Sequence, residues 1–361
     1  MSDGIDEAIR DGRIPPDVDT QLLRNNQNIP GIASIACVTF LATLVVVCRL
    51  YSRKFIIKGY GFGFDDGVVL ASLVVFIPFM ALCIRLIVMG AGRNPMWMYF
   101  MMDDETYTQI QALDTIAHLI YSTALVLCRI SGIAFYWRLC YMDKKFLMAI
   151  KGIAAIILAG YVAQICLLIF HCLPISMVWV FYTKEEYEKH TCMHWFQVYS
   201  IISSISLASD FLLFGIPAVM LKGLQLARKQ KLQLACILLP GILVIGVSAA
   251  RVVLVINYGW ESDQKIEFQF SFLKLLCLEV AEVSATIIAV SVPGVKPLVD
   301  KYVLRKDKGT ESGSWKSNGL SMSSSDDVAK PRQANVDIME WQRDMYWPQA
   351  TQVPYAGHRT C

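Results

Sequence analysis

Seven ionisable side chains fall well inside apolar stretches of the chain: Asp114, His118, Arg129, Asp210, Arg251, Glu279 and Glu282. Charges are costly in hydrocarbon, so such residues face a bundle interior or a water-filled cavity and mark a candidate binding or intramembrane polar site. Their chemistry is that of acids and bases. Carboxylates and an imidazole in a water-poor cavity can exchange protons with a bound molecule. Spacing groups them further. Asp114 and His118 are four residues apart and share a helical face, and Glu279, Glu282 and Thr286 follow a 3,4 pattern on another. Ser203, Ser206 and Asp210 form a third polar stripe.

The elements that must carry these residues are membrane helices, each needing about 20 mostly apolar residues. Seven stretches qualify: 29–50, 68–89, 109–139, 150–170 (extending toward Val180), 196–221, 232–257 and 268–292. The predicted fold class is therefore all-α, a polytopic seven-helix transmembrane bundle. Composition agrees, with 55% hydrophobic and 17% charged residues and a mean hydropathy of +0.46; a soluble domain carries about a quarter charged residues. The net charge of +3 argues against a nucleic-acid partner. The lipid bilayer is the partner the spans require, in a plasma membrane or an endomembrane.

Loop charge sets the orientation. Connections after spans 1, 3 and 5 hold Arg49, Arg53, Lys54, Lys58, Arg138, Lys144, Lys145, Lys151, Lys222, Arg228, Lys229 and Lys231. Those after spans 2, 4 and 6 hold Arg93, Lys184, Lys189 and Lys265. The excess of cations on one side places the N-terminus outside and the C-terminus in the cytosol. The domain reading is an outer N-terminal segment at 1–28, a transmembrane domain at 29–300 and a Ser-rich cytosolic tail at 301–361. The first segment is polar, with no signal-peptide pattern, so span 1 is expected to direct insertion. The tail is too polar to bury a core and is expected to be disordered, either as a phosphorylatable regulatory segment or as a passive one.

In this frame the helical rise puts Asp114 and His118 about 8–14 Å from the outer face and Arg251 at about 9 Å. Glu279 falls near roughly 16 Å, Glu282 and Asp210 near roughly 21 Å and Arg129 near roughly 29 Å. Asp114, His118, Arg251 and Glu279 form an outer group; Arg129, Asp210 and Glu282 form a deeper one. Each also has a structural reading. Arg129 can reach lipid headgroups, Arg129 and Asp210 can pair between spans 3 and 5, and Arg251 can pair with Glu279. Pairing is the stronger reading for any one residue. For the set, Asp210, Glu279 and Glu282 face few cations at their depth, so at least one is expected to be protonated, hydrated or functional.

Cys172 and Cys192 flank the outer connection between spans 4 and 5, where the milieu is oxidising, and are expected to form a disulfide across its mouth. Zinc is disfavoured there despite His171, His190 and His194, and no metal site is expected. The cysteines within the spans are expected to pack as small apolar groups. Lys274, about two turns from the outer end of span 7, is too shallow for a retinal Schiff base, and no cofactor is expected. Asp65 and Asp66 open span 2, where carboxylates suit a helix N-terminus.

Several segments, taken in order, resemble a known pattern. They are Arg49-Leu-Tyr-Ser-Arg53, Phe64-Asp65-Asp66, Arg129-Ile-Ser-Gly-Ile-Ala-Phe-Tyr-Trp-Arg138 and Cys172-Leu-Pro174 with Trp179 and Cys192. Asp210-Phe-Leu-Leu-Phe-Gly-Ile-Pro217, Leu224-Gln225, Lys231, Arg251, Glu279 and Pro293-x-x-x-Pro297 complete the set. Over about 29–300 the chain resembles the fungal rhodopsin-like seven-helix family, which includes pathogenicity-receptor relatives and a satratoxin-cluster integral membrane protein. It departs at Arg129, where the family often has Lys, and at Gly67, where an aromatic is common. The resemblance implies one of two roles. The first is a secondary-metabolite (mycotoxin-type) role, as a membrane-embedded enzyme or an accessory for a lipophilic small molecule, with pathway proteins as partners. The second is a receptor-like sensor coupled to cytosolic signalling proteins. Many receptor-type members carry a cysteine-rich domain ahead of span 1; the residues ahead of it here hold no cysteine, which favours the first role. A transporter ranks last, because no inverted repeat or paired broken helix is visible.

Overall fold

The computed structural model describes residues 2–12, 14, 20–24, 26–56, 63–93, 97, 100–139, 144–173, 191–193, 195–223, 228–263 and 271–302. The expectations for the tail beyond residue 302, for Lys58, Trp179, Lys184, Lys189, His190, His194 and Lys265, and for Leu224-Gln225 lie outside these residues. Two short helices, α1 (Ser2–Arg10) and α2 (Thr20–Arg24), precede the membrane domain. The seven long helices are α3 (Asn28–Tyr51), α4 (Phe64–Leu86), α5 (Asp104–Leu139), α6 (Lys144–Phe170), α7 (Trp195–Gly223), α8 (Arg228–Asp263) and α9 (Ser271–Tyr302). π-helical turns at Ser52–Ile56 and Ile87–Ala91 extend α3 and α4. All seven are long and apolar enough to cross a membrane. The protein is an all-α, multi-pass bundle, and its exposed apolar side chains, such as Phe40, Val74, Val162 and Leu239, meet lipid.

The helices are longer than the apolar stretches suggested, because their ends are polar turns. Asp103 accepts the Thr106 hydroxyl at 2.8 Å and its backbone N–H at 3.0 Å, starting α5 a turn before the apolar run. These bonds hold the Asp103 carboxyl below the usual carboxylate range. The fourth span does not run on toward Val180. It ends at Phe170, and Cys172–Leu173 (β1) pairs antiparallel with Thr191–Cys192 (β2). The next residue is Pro174, and the residue before a proline disfavours helix.

Neighbouring helices pack in the order α3, α4, α5, α6, α7, α8, α9 and back to α3, while α9 also meets α4 and α5. The two helices with the most neighbours are the most buried, α9 with 67% and α5 with 61% of the residues in its most apolar stretch inside the bundle, against 17% for peripheral α6. One apolar cluster joins α3, α4, α5 and α9 around Phe76, Phe79, Leu125 and Leu276. A second joins α5 to α9 around Ile133, Leu213, Phe214 and Val244. Within the spans, Cys83 and Cys128 are buried as expected of small apolar groups, but Cys37 and Cys166 are exposed on the outside of the bundle, where a thiol suits lipid.

The segment before the first span, polar in sequence, holds a small core of its own. Ile5, Ala8, Ile14 and Leu23 are buried against Trp97, Phe100 and Met101 from the α4–α5 connection. Asn26 bridges to Arg93, whose guanidinium lies 4.3 Å from the Trp97 ring centroid. Gly90, at φ 138°, lets the chain leave α4 beneath Trp97; a Cβ there would come 2.9 Å from Met102 Cε. Replacing Leu23, 1% exposed, by Ala is expected to weaken this cap by about 2–5 kcal/mol. Hydrogen exchange should then accelerate across residues 2–24, with the seven-helix melting transition unmoved.

Candidate functional site

The seven candidate residues are all buried, and α5, α7, α8 and α9 bring them into two linked groups. The shallower group lies toward the face that carries α1 and α2. Asp114 and His118 sit one turn apart on α5, with His118 Nδ1 3.9 Å from Asp114 Oδ1. The other side of the ring faces α9: Nε2 is 3.2 Å from Glu279 Oε1. Tyr199 of α7 donates its hydroxyl to Asp114 Oδ2 at 2.7 Å. Its ring meets His118 edge-on, with centroids 4.4 Å apart. Trp195 and His171 continue this aromatic column at 5.4 and 4.8 Å, up to the β1–β2 ribbon. There Cys172 and Cys192 are joined by a disulfide with Cα atoms 4.2 Å apart.

This shallower group is incompletely satisfied. Both carboxylate oxygens of Glu279, both ring nitrogens of His118, Asp114 Oδ1 and Ser203 Oγ make no hydrogen bond among the described residues, and all are buried. Buried polar atoms of this kind cost free energy unless a water, a proton or a ligand group meets them.

The deeper group is densely bonded around Glu282. Tyr121 donates to Oε2 at 2.7 Å, and Arg251 Nε lies 3.0 Å from the same oxygen. Ser206 and Ser248 lie 3.0 and 2.9 Å from Oε1. Arg129 Nε reaches Asp210 Oδ1 at 3.0 Å, and its Nη2 donates to Ser206 Oγ at 2.6 Å and to the Ser206 carbonyl at 3.1 Å. Ser248 lies 2.6 Å from Asp210 Oδ2.

This geometry redraws the expected pairs. The Arg129–Asp210 contact between the third and fifth spans is present at 2.9 Å, so Arg129 does not reach for headgroups. Arg251, expected on Glu279, instead faces Glu282 and belongs to the deeper group. Glu279 and Glu282 are three residues apart, hence about 60° apart around α9, and the rotation of α8 selects the second. Asp210, Glu282 and Glu279 lie beside Arg129, Arg251 and His118 respectively, but His118 also faces Asp114, so the two groups set four carboxylates against two arginines and one histidine and the expected shortage of cations remains.

A third cluster, toward the opposite face, was not anticipated as a site. Arg49 forks between Asp65 Oδ2 at 2.7 Å and Asp66 Oδ1 at 2.8 Å, and Nη1 donates to the Val290 carbonyl at 2.5 Å. Arg53 adds a contact to Asp65 at 3.3 Å, and Ser131 donates to the Asp65 carbonyl. The helix-start role expected of the two aspartates holds for Asp66, whose Oδ2 accepts the Gly63 N–H, but their larger role is to tie α3, α4 and α9 together. The signal was the spacing of Arg49 and Arg53, four residues apart just ahead of two adjacent carboxylates. The void between α5, α7 and α9 near this face, lined by Gly132, Tyr136, Phe214 and Pro293 among others, has a volume of about 10 Å³, and none of the seven candidates lines it.

Gly294 lets the Arg49 stem lie against α9, since a Cβ there would come 2.9 Å from Arg49 Cγ. Arg49→Lys keeps the charge but loses the fork to two carboxylates and a carbonyl. It is expected to destabilise the bundle by about 1.5–3 kcal/mol, read as a lower unfolding midpoint in nanodiscs, with Gly294→Ala moving it the same way.

A family model described as the fungal rhodopsin domain matches residues 48–301. The matched span contains all seven candidate residues, the Arg49 cluster and the disulfide. No curated protein and no solved structure matches the chain.

Proposed function

Because the chain belongs to the fungal rhodopsin domain family and crosses the membrane seven times, we propose that it serves a lipophilic small molecule in a fungal secondary-metabolite, mycotoxin-type pathway. Its role there is that of a membrane-embedded acid–base protein, acting as an enzyme or as a holder of the intermediate. The observation that carries this reading is Glu279, a fully buried carboxylate with no hydrogen-bond donor on either oxygen among the described residues, set 3.2 Å from a histidine. A substrate group entering there meets a base with free lone pairs and, in His118, a partner able to supply or take the proton. Tyr199 and Trp195 offer apolar ring surface beside it, and Asp114 with Tyr199 holds the far side of the imidazole.

The pathway assignment is supported by the likeness of the sequence motifs to toxin-cluster members. In this reading the loop charges set the N-terminus outside and the C-terminus in the cytosol, and the Cys172–Cys192 staple spans the mouth above the shallower group. A sensor reading has its own support in the Arg49 fork, which ties three helices through one side chain and would serve as a two-state element between an outer ligand and a cytosolic partner.

The test is deletion with metabolite profiling, followed by complementation with Glu279→Gln. The expected result is an altered profile on deletion that the variant fails to restore, with formation of the dependent product reduced about 10²–10⁴-fold at normal protein levels in the membrane. An unchanged profile with a lost response to surface cues would replace this reading with the sensor.

A further inference from the structure

We infer that Asp210 and Glu282 share one bound proton through Ser248, which makes the deep cluster a proton-binding site within the membrane. The inference goes beyond the proposed function and stands whether or not a substrate reaches Glu279. Two independent observations carry it.

The first is the position of Ser248. Its Oγ lies 2.6 Å from Asp210 Oδ2 and 2.9 Å from Glu282 Oε1. A serine hydroxyl has one hydrogen and can satisfy one such contact as donor. If both carboxylates were ionised, the other contact would set two lone pairs against each other at hydrogen-bond distance. A proton on one carboxyl removes the conflict: the acid donates to Ser248, and Ser248 donates onward. The remaining donors indicate which end holds it. Glu282 already receives Tyr121, Ser206 and the Arg251 charge, whereas Asp210 receives only Arg129 besides Ser248. The favoured order is Asp210 Oδ2–H to Ser248 Oγ–H to Glu282 Oε1.

The second is the charge count of the bundle interior. Among the described residues, the buried carboxylates are Asp65, Asp66, Asp114, Asp210, Glu279 and Glu282, and the buried guanidiniums are those of Arg49, Arg53, Arg129 and Arg251. Arg49 and Arg53 balance Asp65 and Asp66 within their own cluster. In the other two groups, four carboxylates face two arginines and His118. Even with His118 cationic, one negative charge is left over. His171 is engaged with the Leu168 carbonyl at the end of α6 and lies outside both groups. An unbalanced charge in this interior carries a desolvation cost of several kcal/mol, and one proton removes it. The groups facing the shared proton from each packed helix are Arg129, Tyr121 and Cys128 on α5, Ser206 on α7, Arg251 on α8 and Glu279 one turn away on α9. None of them supplies the missing positive charge.

The experiment is infrared spectroscopy of the full-length protein in lipid nanodiscs at neutral pH, before and after exchange into D₂O. A protonated carboxyl C=O band that shifts on deuteration is expected in the wild type. It should be lost in Asp210→Asn and in Glu282→Gln, because either substitution leaves the remaining acid ionised beside its arginine, and it should be retained in Glu279→Gln. Asp210→Asn reproduces the neutral form, with its amide donating to Ser248, so its melting temperature is expected to match the wild type. The inference is overturned by the absence of a protonated carboxyl band in the wild type, by a band that survives both substitutions, or by a band lost only in Glu279→Gln. Failure of Asp210→Asn to fold, or a sodium-dependent melting temperature without a carboxyl band, overturns it equally.

Discussion

Glu282 is the joint on which the interior of this bundle depends. It sits on α9, takes a hydroxyl from Tyr121 of α5 and another from Ser206 of α7, and faces Arg251 and Ser248 of α8. Four of the seven spans thus meet at one carboxylate with no exposed surface. Lipid tails are as apolar as leucine, so burying hydrocarbon gives little preference for one helix arrangement over another, and packing with interhelical hydrogen bonds decides it. Moving any of the four helices leaves a charge or hydroxyl unmatched, and breaking a buried pair costs about 3–5 kcal/mol. Arg49 plays the corresponding part for α3, α4 and α9 toward the other face.

These two joints account for the placement of the helices. α9 carries Glu282, Glu279 and the carbonyl that Arg49 uses, and α5 carries Asp114, His118, Tyr121 and Arg129. The helices with the most polar interior faces are therefore the most buried, which inverts the ordering expected of a soluble core. Peripheral α6 contributes one long buried polar side chain, Gln164, which bonds the Ile202 carbonyl of α7, and a half-buried Tyr161 whose hydroxyl lies 3.1 Å from that of Thr123 on α5; most of its remaining surface is apolar.

The fold was legible because a membrane span needs a run of apolar residues, a property written locally along the chain. The candidate residues were legible for the same reason, since a charge inside such a run has few permitted surroundings. Partner choice was not. Glu279 and Glu282 differ by about 60° on one helix, and which of them meets Arg251 depends on the rotation of α8, a relation between distant segments. The N-terminal cap was missed for a similar reason: Ile5, Ala8, Ile14 and Leu23 are too scattered to mark an apolar run, and their partners Trp97, Phe100 and Met101 lie in another connection. Asp65 and Asp66 were read as a helix start because that role is local. Their engagement with Arg49 needed the fold.

The two polar groups differ in a way that bears on function. In the deeper group every oxygen of Asp210 and Glu282 has a donor beside it, and the conflict at Ser248 is removed by a single proton. Of its buried carboxylate and guanidinium atoms, only Arg251 Nε and Nη2 lack a hydrogen bond among the described residues. In the shallower group Glu279, His118 and Asp114 Oδ1 lack hydrogen bonds altogether, although His118 stands between two carboxylates. A satisfied network rigidifies a bundle, whereas an unsatisfied one in the same low-dielectric interior retains the capacity to bind. The division of labour follows from this contrast. Arg129, Asp210, Arg251 and Glu282 hold the helices in register. Asp114, His118 and Glu279, nearer the capped face along α5 and α9, are left with free valences on a scaffold that the deeper group keeps still.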